Sequence, residues 1–279
     1  MKTLYSKSSL VVLLVVIAST FVSAQEIGLQ LYSLRREIPK DVPGSLALIN
    51  SWGIKEIEGG GTYGMTMDEF KALLKKNKLK MVSVGADYNE LAKDPAAVAA
   101  KAKEFGAKYV MCAWIPHNGT DFTLADAEKA IEVFQKAGKV LAAQGISLCY
   151  HAHGYEFRPY EGGTLFDLMA KKLDPAYVNF EMDVFWVKHP GQDPVALLKK
   201  YPNRFPLMHL KDRRPGTEGN QFGTADDETN VVLGAGDVGI GGIMKVARQY
   251  GVKHFFIEDE SVHAVDQIPQ SLKFLQSLK

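Results

Sequence analysis

The stretch Gly145-Ile146-Ser147-Leu148-Cys149-Tyr150-His151-Ala152-His153-Gly154-Tyr155-Glu156 joins an apolar strand-like run to two histidines and a glutamate. The preceding segment, 124–144, has the 3.6-residue periodicity of an amphipathic helix. Its apolar stripe consists of Ala130, Val133, Phe134, Ala137 and Leu141. Because residues i and i+2 of a strand point to the same face, His151 and His153 are expected to point together beyond the strand's end. Such a pair is a candidate metal or proton-transfer site.

The alternation of helix and strand continues through the chain. Eight apolar strand-like runs are predicted at 27–31, 54–57, 80–84, 109–113, 146–150, 178–182, 205–210 and 254–257. Eight helices are predicted at 42–52, 67–76, 95–105, 124–144, 165–172, 194–200, 240–250 and 265–278. This count and length are typical of a (β/α)₈ barrel. A doubly wound sheet usually has a glycine-rich turn after its first strand, whereas Gln30-Leu31-Tyr32-Ser33-Leu34-Arg35 stands here. We therefore predict an α/β fold, a (β/α)₈ TIM barrel, with a single domain over 25–279.

Residues 1–24 have the composition of a secretory signal peptide. Lys2 and Lys7 form a basic start, 10–22 is an apolar core, and Val22-Ser23-Ala24 supplies small residues for cleavage after Ala24. The apolar run is too short to span a bilayer comfortably. We expect an exported protein, periplasmic in a Gram-negative host, with no stable membrane association after signal cleavage. An uncleaved N-terminal anchor is the alternative.

Charge and cysteine content limit the classes of partner and the covalent structure. The formal net charge is +1 and becomes −1 when Lys2 and Lys7 leave with the signal peptide. A nearly neutral chain has no electrostatic basis for binding nucleic acid. Cys112 and Cys149 both lie inside apolar strand-like runs, which favours two buried thiols. A disulfide between them stays open as an alternative in an oxidising compartment.

Metal-capable side chains follow four consecutive predicted strands. Strand five ends at His151, strand six at Asp183, strand seven at His209 and strand eight at Glu258. Each alone is compatible with a helix cap or a surface ion pair. The C-terminal ends of barrel strands share one rim, which is where the active site of such a barrel lies, so the four together predict a divalent metal site. Mixed nitrogen and oxygen ligands suit Mn²⁺, Co²⁺, Zn²⁺ or Mg²⁺. Glu156 is the alternative ligand from strand five.

Aromatic residues and a long loop complete the predicted site. Tyr32, Trp114 and Trp186 are strand-end aromatics suited to stacking on sugar rings, although each is also compatible with ordinary core packing. The polar, glycine-rich stretch 212–238 follows strand seven, and a loop of this length is often functional. We expect it to be able to fold over the site. Residues 234–242 suit either a phosphate cradle or, as we favour, a turn before the next helix.

Motifs along the whole chain after the signal peptide carry a family resemblance. They are Gly28-Leu29-Gln30-Leu31-Tyr32-Ser33, Gly53-Ile54-Lys55-Glu56-Ile57-Glu58, Tyr150-His151-Ala152-His153 with Glu156, Asp183-Val184-Phe185-Trp186, His209-Leu210-Lys211-Asp212, Gly234-Ala235-Gly236-Asp237 and Ile257-Glu258. With these motifs the chain resembles the sugar phosphate isomerase/epimerase group of the xylose isomerase-like barrel superfamily. That superfamily includes sugar epimerases, inosose isomerases and dehydratases and, more distantly, endonuclease IV.

The resemblance implies one divalent ion and a set of site residues. The metal ligands would be His151, in the place of a family glutamate, with Asp183, His209 and Glu258. Many relatives end strand five with Glu-Asn-His, so His153 falls on their substrate-contacting histidine. The substrate-binding residues would be Tyr32, Glu58, Trp114 and Trp186. Because the strand-five glutamate is replaced, the catalytic residues would be His153, Glu156, Lys211 and Glu258.

The resemblance also implies a reaction, namely removal of the proton α to a carbonyl through a metal-stabilised enediolate. Export makes a non-phosphorylated sugar or keto-sugar the expected substrate, because sugar phosphates are cytoplasmic. Reprotonation at another carbon is isomerisation or epimerisation. Expulsion of a β-leaving group would instead make the protein a sugar lyase or dehydratase, acting on a 3-keto-glycoside or an inosose. Loss of the strand-five glutamate removes one partner from a symmetric two-base epimerisation.

Two readings of other classes remain. A non-catalytic sugar-binding barrel is kept open by the replaced strand-five glutamate. A repair nuclease of the endonuclease IV type needs a fuller ligand set and a basic surface, and export together with a near-neutral charge argues against it. We therefore expect a small-molecule carbohydrate partner and no nucleic acid. The sequence makes no prediction of the oligomeric state.

Overall fold

A closed barrel of eight parallel strands forms the centre of the protein in the computed structural model, which describes residues 26–278. The strands are β1 Ile27–Gln30, β2 Glu56–Gly59, β3 Lys80–Gly85, β4 Tyr109–Cys112, β5 Ser147–His151, β6 Val178–Asp183, β7 Leu207–Leu210 and β8 His254–Ile257. Neighbours follow chain order, and β1 closes the barrel by pairing Ile27 with Phe255 and Leu29 with Ile257. The predicted α/β TIM barrel is confirmed. The predicted signal peptide, 1–24, lies outside the described residues.

Helices surround the barrel, and two of them were not predicted. Within residues 26–278 the α-helices are α1 Val42–Ser51, α2 Met67–Lys76, α3 Tyr88–Lys93, α4 Pro95–Phe105, α5 Leu124–Ala142, α6 Leu165–Lys172, α7 Val184–Lys188, α8 Pro194–Lys200, α9 Ile240–Ala247 and α10 Ala264–Ser277. The unpredicted helices are α3 and α7. Helix α3 is short and buries only Tyr88 and Leu91, so its apolar periodicity is too weak to read. Helix α7 has a β-branched and aromatic sequence typical of a strand.

Strand β2 begins and ends two residues later than the predicted 54–57. The prediction followed apolar residues, whereas β2 contains Glu56 and Glu58. Glu58 contacts His209 on β7, and Glu56 contacts His254 on β8. Since neither β7 nor β8 is a neighbour of β2, both carboxylates point into the barrel interior. The inward-facing polar residues therefore shifted the predicted bounds of this strand, because the search followed apolar runs.

The ends of β5 and β6 place the candidate ligands inside the sheet. Each strand extends one residue beyond its prediction, to His151 and to Asp183. Asp183 pairs with His209 of β7, and His151 pairs with Glu181 of β6. These side chains therefore start from hydrogen-bonded strand positions and not from a loop, which fixes their direction. The remaining predicted boundaries differ by up to three residues.

Cys112 and Cys149 are free and buried, in agreement with the prediction of two buried thiols. Burial raises the pKa of Cys112 to about 12, so its thiol stays protonated at neutral pH. The described helices include none that combines the length and the apolar character needed to cross a bilayer.

Candidate metal centre

Four buried side chains from neighbouring strands converge at the C-terminal rim of the barrel. They are His151, Asp183, His209 and Glu258, and their candidate ligand atoms all lie within 4.8 Å of one another. His151 Nε2 is 3.1 Å from His209 Nδ1 and 3.6 Å from Asp183 Oδ2. Glu258 Oε2 is 3.3 Å from His209 Nδ1. The predicted ligand set is thus brought together around a single point.

The two carboxylate oxygens of Asp183 differ in their hydrogen bonding. Its Oδ1 caps helix α7 by accepting hydrogen bonds from the backbone N–H groups of Phe185 (2.7 Å) and Trp186 (3.2 Å). Its Oδ2 is buried and has no hydrogen-bond partner among the described residues. Burial raises the pKa of Asp183 to about 6. A buried oxygen without a partner costs about 1–3 kcal/mol or more, and a cation beside His151 and His209 would satisfy it. The donor set fits a divalent ion.

His209 is oriented from behind by Glu58. His209 Nε2 donates to Glu58 Oε1 across 2.7 Å, and Gln30 Nε2 donates to the same oxygen across 2.6 Å. With one proton held on Nε2 by Glu58, His209 would offer the lone pair of Nδ1 to a cation that displaces its second proton. This is the carboxylate–histidine arrangement found behind metal-ligating histidines. Glu58, predicted as a substrate-binding residue, is fully buried and outside the cavity lining, where it bonds His209 and Gln30.

Glu181 belongs to this buried layer and was missed at the sequence level. Its Oε1 lies 3.2 Å from His209 Nε2, without hydrogen-bond geometry. Burial, reinforced by the nearby charge of Glu58, raises the pKa of Glu181 to about 8. The available signal was its position two residues before Asp183 on one strand, which puts both side chains on the same face.

The two histidines of the centre have opposite electrostatic surroundings. Burial, and then the proximity of His209, lowers the pKa of His151 to about 3, so His151 is neutral. Burial acts in the same direction on His209, but Glu181 and Glu258 outweigh it and hold the pKa of His209 well above its ordinary value. A cation that binds His209 therefore displaces a proton.

Lys211 lies behind Glu258. Its Nζ is 3.5 Å from Glu258 Oε2, and it also bonds Glu260. The ammonium group is 5.2 Å from the ring centres of both Phe185 and Trp186. Burial alone would lower the pKa of Lys211, but the carboxylates of Glu258 and Glu260 raise it above its ordinary value. Conversely, burial would raise the pKa of Glu258, and Lys211 with His209 holds it well below the usual range. Lys211 stays charged and keeps Glu258 ionised.

His153 and Glu156 lie in different surroundings, the first in the cavity lining and the second outside it. His153 lines the cavity above the centre, with its ring centre 5.8 Å from that of Trp114 and 5.2 Å from that of Trp186. Glu156 is fully buried and outside the cavity lining. Its Oε2 accepts from the backbone N–H of Gly154 (2.8 Å), and its Oε1 bonds Tyr150. Burial raises its pKa to about 7. Of the two alternatives for strand five, the structure places His151 in the ligand group.

A cavity of about 700 Å³ opens above the centre. Its lining includes the predicted site residues Tyr32, Trp114, His151, His153, Trp186, His209 and Glu258. Two of these rings are well exposed, Tyr32 at 53% and Trp114 at 41%. Gly223, Thr224 and Ala225 from the long loop also line the cavity, so part of this loop lies over the site as its length predicted. Another cavity, of about 490 Å³, lies at the opposite end of the barrel, away from the group of His151, Asp183, His209 and Glu258.

Ion pairs of Arg35 and Arg36 with Asp227 hold the long loop, 212–238, against the barrel. Arg35 Nη2 donates to Asp227 Oδ2 across 2.6 Å and to the carbonyl oxygen of Glu260 across 2.6 Å. Arg36 Nη2 adds a bond of 3.2 Å to the same oxygen of Asp227. These contacts connect the turn after β1, the long loop and the end of β8. The loop is therefore tied to two strands that carry site residues.

The glycine-rich stretch at 234–238 is a turn organised by Asp212. Asp212 Oδ2 accepts from the backbone N–H groups of Gly234 (2.8 Å) and Gly236 (3.1 Å), and its Oδ1 accepts from that of Val238 (3.2 Å). A carboxylate of the chain thus occupies the amides that a phosphate would use. The turn interpretation is the one that the geometry favours.

Comparison with known proteins places this barrel in a family. Residues 46–278 match the family described as xylose isomerase-like TIM barrel. The chain belongs to the xylose isomerase-like TIM barrel family. The resemblance to this superfamily that the sequence motifs indicated is confirmed.

Individual members of the family and related structures give further comparisons. An inosose dehydratase from Geobacillus kaustophilus is 24% identical over 202 residues, which cover 68% of this chain and 59% of that protein. The crystal structure of a sugar phosphate isomerase/epimerase from Parabacteroides distasonis superposes with a TM-score of 0.76 at 24% identity, covering 93% of this chain and 96% of that one. The IOLI protein, solved with a zinc atom, superposes with a TM-score of 0.70 at 13% identity, covering 91% and 98%. At these identities the two structures show a shared fold.

Proposed function

We propose that this protein is a divalent-metal-dependent enzyme that removes the proton α to a carbonyl of a non-phosphorylated sugar or keto-sugar. Returning the proton at another position makes it an isomerase or epimerase. The observation that carries the proposal is the buried group of His151, Asp183, His209 and Glu258 at the base of a large cavity with aromatic walls. A bound divalent ion would polarise the carbonyl oxygen of the substrate and so acidify the α-carbon.

Glu258 is the group that we assign to proton removal. It lines the cavity, and Lys211 and His209 hold its pKa well below the usual range, so it is ionised at neutral pH. A base must lie within reach of the proton that it removes and be unprotonated at the working pH. Lys211, which stays charged, supports Glu258 instead of accepting the proton.

The charged groups around the cavity favour an unphosphorylated substrate. Arg35 is the one lysine or arginine among the described residues that line it, and Asp227 with the Glu260 carbonyl already occupies its guanidinium. Two carboxylates, Glu258 and Glu260, line the same space. A phosphate would find acidic groups and no uncommitted cation. The exposed rings of Tyr32 and Trp114 instead offer surface on which a sugar ring could stack, whereas Trp186 is largely buried.

Elimination is the second candidate reaction, and the replaced ligand favours it. A symmetric epimerase needs a base on each face of the sugar, and His151 stands where the second carboxylate would be. Glu258 is then the single carboxylate within the ligand group that is placed to remove the α-proton. One base is sufficient when the carbanion expels a β-leaving group, as in a dehydratase or a 3-keto-glycoside lyase. The relationship to an inosose dehydratase supports the same reading.

Export is part of the proposal. The basic start, apolar core and small residues of 1–24 support secretion with cleavage after Ala24. A compartment without sugar phosphates agrees with the charge of the cavity. Mass spectrometry of the N-terminus of protein from a periplasmic extract would test it, and a mature chain that retains Met1 would contradict it.

Proton exchange provides the test of the reaction. Metal-loaded protein is incubated in D₂O with a panel of keto-sugars and 3-keto-glycosides, and the α-proton signal is followed by NMR. Exchange without release indicates isomerisation, and release of a sugar or water indicates elimination. A purified protein with no bound divalent ion and no exchange would instead support a non-catalytic sugar-binding barrel.

A further inference from the structure

The two halves of the barrel mouth differ in the side chains that they present. Strands β5 to β8 supply the candidate metal ligands, whereas β2 and β3 end in glycine. Glu58 and Ser83 pair in register, and alternate residues of a strand share a face. The next inward-facing positions on these two strands are therefore Gly60 and Gly85. This half of the mouth presents bare backbone, which leaves space beside the candidate metal centre.

A cavity of about 360 Å³ adjoins the main one at these glycines. It extends past the ends of β3 and β4 to the polar side chains of Asp87, Glu90 and Lys101. The residues that line both cavities are Gly60, Gly85, Met111, Ala113 and Trp114. Cavities of about 300–1,000 Å³ are of the size that holds small organic ligands. The mouth of the barrel is therefore a cleft with two compartments, and the candidate metal ligands line the larger one.

Gly85 lies at the junction of the two compartments. A methyl group built on its Cα atom would have no other heavy atom within 4 Å, and its φ lies outside the left-handed region. Neither packing nor backbone conformation thus requires glycine here, and what the missing side chain provides is an open passage. Lys101 Nζ donates to the carbonyl oxygen of Gly85 across 3.4 Å, which places an ammonium group beside this passage.

We propose that the smaller compartment binds a second, uncharged sugar ring joined to the reacting keto-sugar, so that the substrate is a disaccharide or a similar glycoside. The inference rests on the proposed function and names the substrate class of that site. Asp87 and Glu90 accept hydrogen bonds from sugar hydroxyl groups, and Lys101 donates to them. Two carboxylates against one ammonium disfavour an anionic ring such as a uronic acid. Trp114, which is 41% exposed, borders both compartments and offers surface for stacking.

Calorimetry with unreactive sugars tests the subsite apart from the reaction. Zinc-loaded protein is titrated with methyl glucoside, which has one ring, and with sucrose, trehalose, methyl maltoside and methyl cellobioside, which have two. These compounds have no free carbonyl group and therefore report binding alone. We expect at least one compound with two rings to bind at least about tenfold more tightly than methyl glucoside. Equal affinities, or no binding by any of the five, would overturn the inference.

Two variants test where the second ring lies. Gly85→Leu fills the passage and is expected to bring the affinity ratio of two-ring to one-ring compounds to about one. Lys101→Met removes a charged donor and is expected to weaken binding of the two-ring compounds about tenfold. Gly242→Leu is the matched control, because Gly242 also has open space around it but lies on α9, outside both cavity linings. Circular dichroism confirms that each variant is folded.

The outcomes separate the subsite from the proposed reaction. An affinity ratio that stays at the wild-type value in folded Gly85→Leu or Lys101→Met would refute the assignment of the smaller compartment. Exchange of the α-proton of a keto-sugar together with equal affinities for one and two rings refutes the subsite alone. A preference for two rings without any exchange refutes the reaction and leaves the subsite in place.

Discussion

His209 Nε2 lies 2.7 Å from Glu58 Oε1, although β7 and β2 are not neighbours in the barrel. The contact crosses the barrel interior below the rim and turns Nδ1 of His209 toward His151, Asp183 and Glu258. Gln30 holds the carboxylate of Glu58 from β1. Residues of the three strands β1, β2 and β7 thus fix the direction of Nδ1 of His209. The orientation of the candidate ligand depends on a residue that does not line the cavity.

Glu58→Gln is expected to weaken zinc binding about 10–100-fold while the barrel stays folded. The neutral amide is a weaker acceptor for His209 Nε2–H, so the ring loses both orientation and basicity. A competition titration with a chromophoric chelator measures the affinity. Glu56→Gln is the matched control, since Glu56 lies on the same strand and pairs with His254 at the other end of the barrel. Equal affinities for the two variants would contradict the role of Glu58.

His209→Ala is expected to abolish both bound metal and activity with the fold retained. The change removes the one ligand that contacts both His151 and Glu258 in the group. Elemental analysis reports the metal, and far-ultraviolet circular dichroism reports the fold. His254→Ala on β8 serves as the control histidine. Stoichiometric metal in His209→Ala would show that the ligand assignment is wrong.

Metal affinity is expected to rise with pH. Asp183 has a pKa of about 6, and the pKa of His209 is well above its ordinary value. Both groups bind protons more tightly than the isolated side chains, and protons compete with the cation for them. The affinity therefore falls most steeply below pH 6, where Asp183 is protonated, and binding at pH 7 releases a proton from His209. Calorimetry in buffers of different ionisation enthalpy counts that proton. An affinity that is constant through this range would contradict the prediction.

Lys211→Met is expected to shift the acid limb of the kcat/KM profile to higher pH. Lys211 contributes the largest lowering of the pKa of Glu258, and without it the buried carboxylate holds its proton more tightly. Breaking a buried ion pair also destabilises the fold by about 3–5 kcal/mol, which a denaturant titration would detect. An unshifted acid limb in the folded variant would argue against Glu258 as the base.

Asp227→Ala is expected to raise KM about fivefold with a small change in stability. The variant removes the carboxylate that Arg35 and Arg36 share and loosens the loop over the cavity. A partly exposed ion pair is worth up to about 1 kcal/mol, which corresponds to about fivefold in an equilibrium constant. Glu218→Gln, an exposed change in the same loop, is the control. If both variants have the KM of the wild type, the ion pairs of Arg35 and Arg36 with Asp227 have no part in substrate binding.

The barrel and the four candidate ligand types could be predicted from local pattern. Helical and strand periodicities are properties of short segments, and a parallel barrel puts all strand ends on one rim, so His151, Asp183, His209 and Glu258 could be grouped without coordinates. The bounds of strand β2 and the helices α3 and α7 escaped the same reasoning. Inward-facing glutamates interrupt the apolar run of β2, and the aromatic sequence of α7 resembles a strand.

The sequence by itself determined the fold class, the rim and the residue types available there, because these follow from local periodicity and barrel topology. Only the tertiary structure decided which atoms meet. Glu156 follows the same strand as His151, but its carboxylate is taken up by Tyr150 and the backbone N–H of Gly154. Glu58 reaches His209 across the barrel, a contact between residues far apart in the chain. Neither outcome can be read locally, because each depends on which distant donor lies within hydrogen-bonding distance.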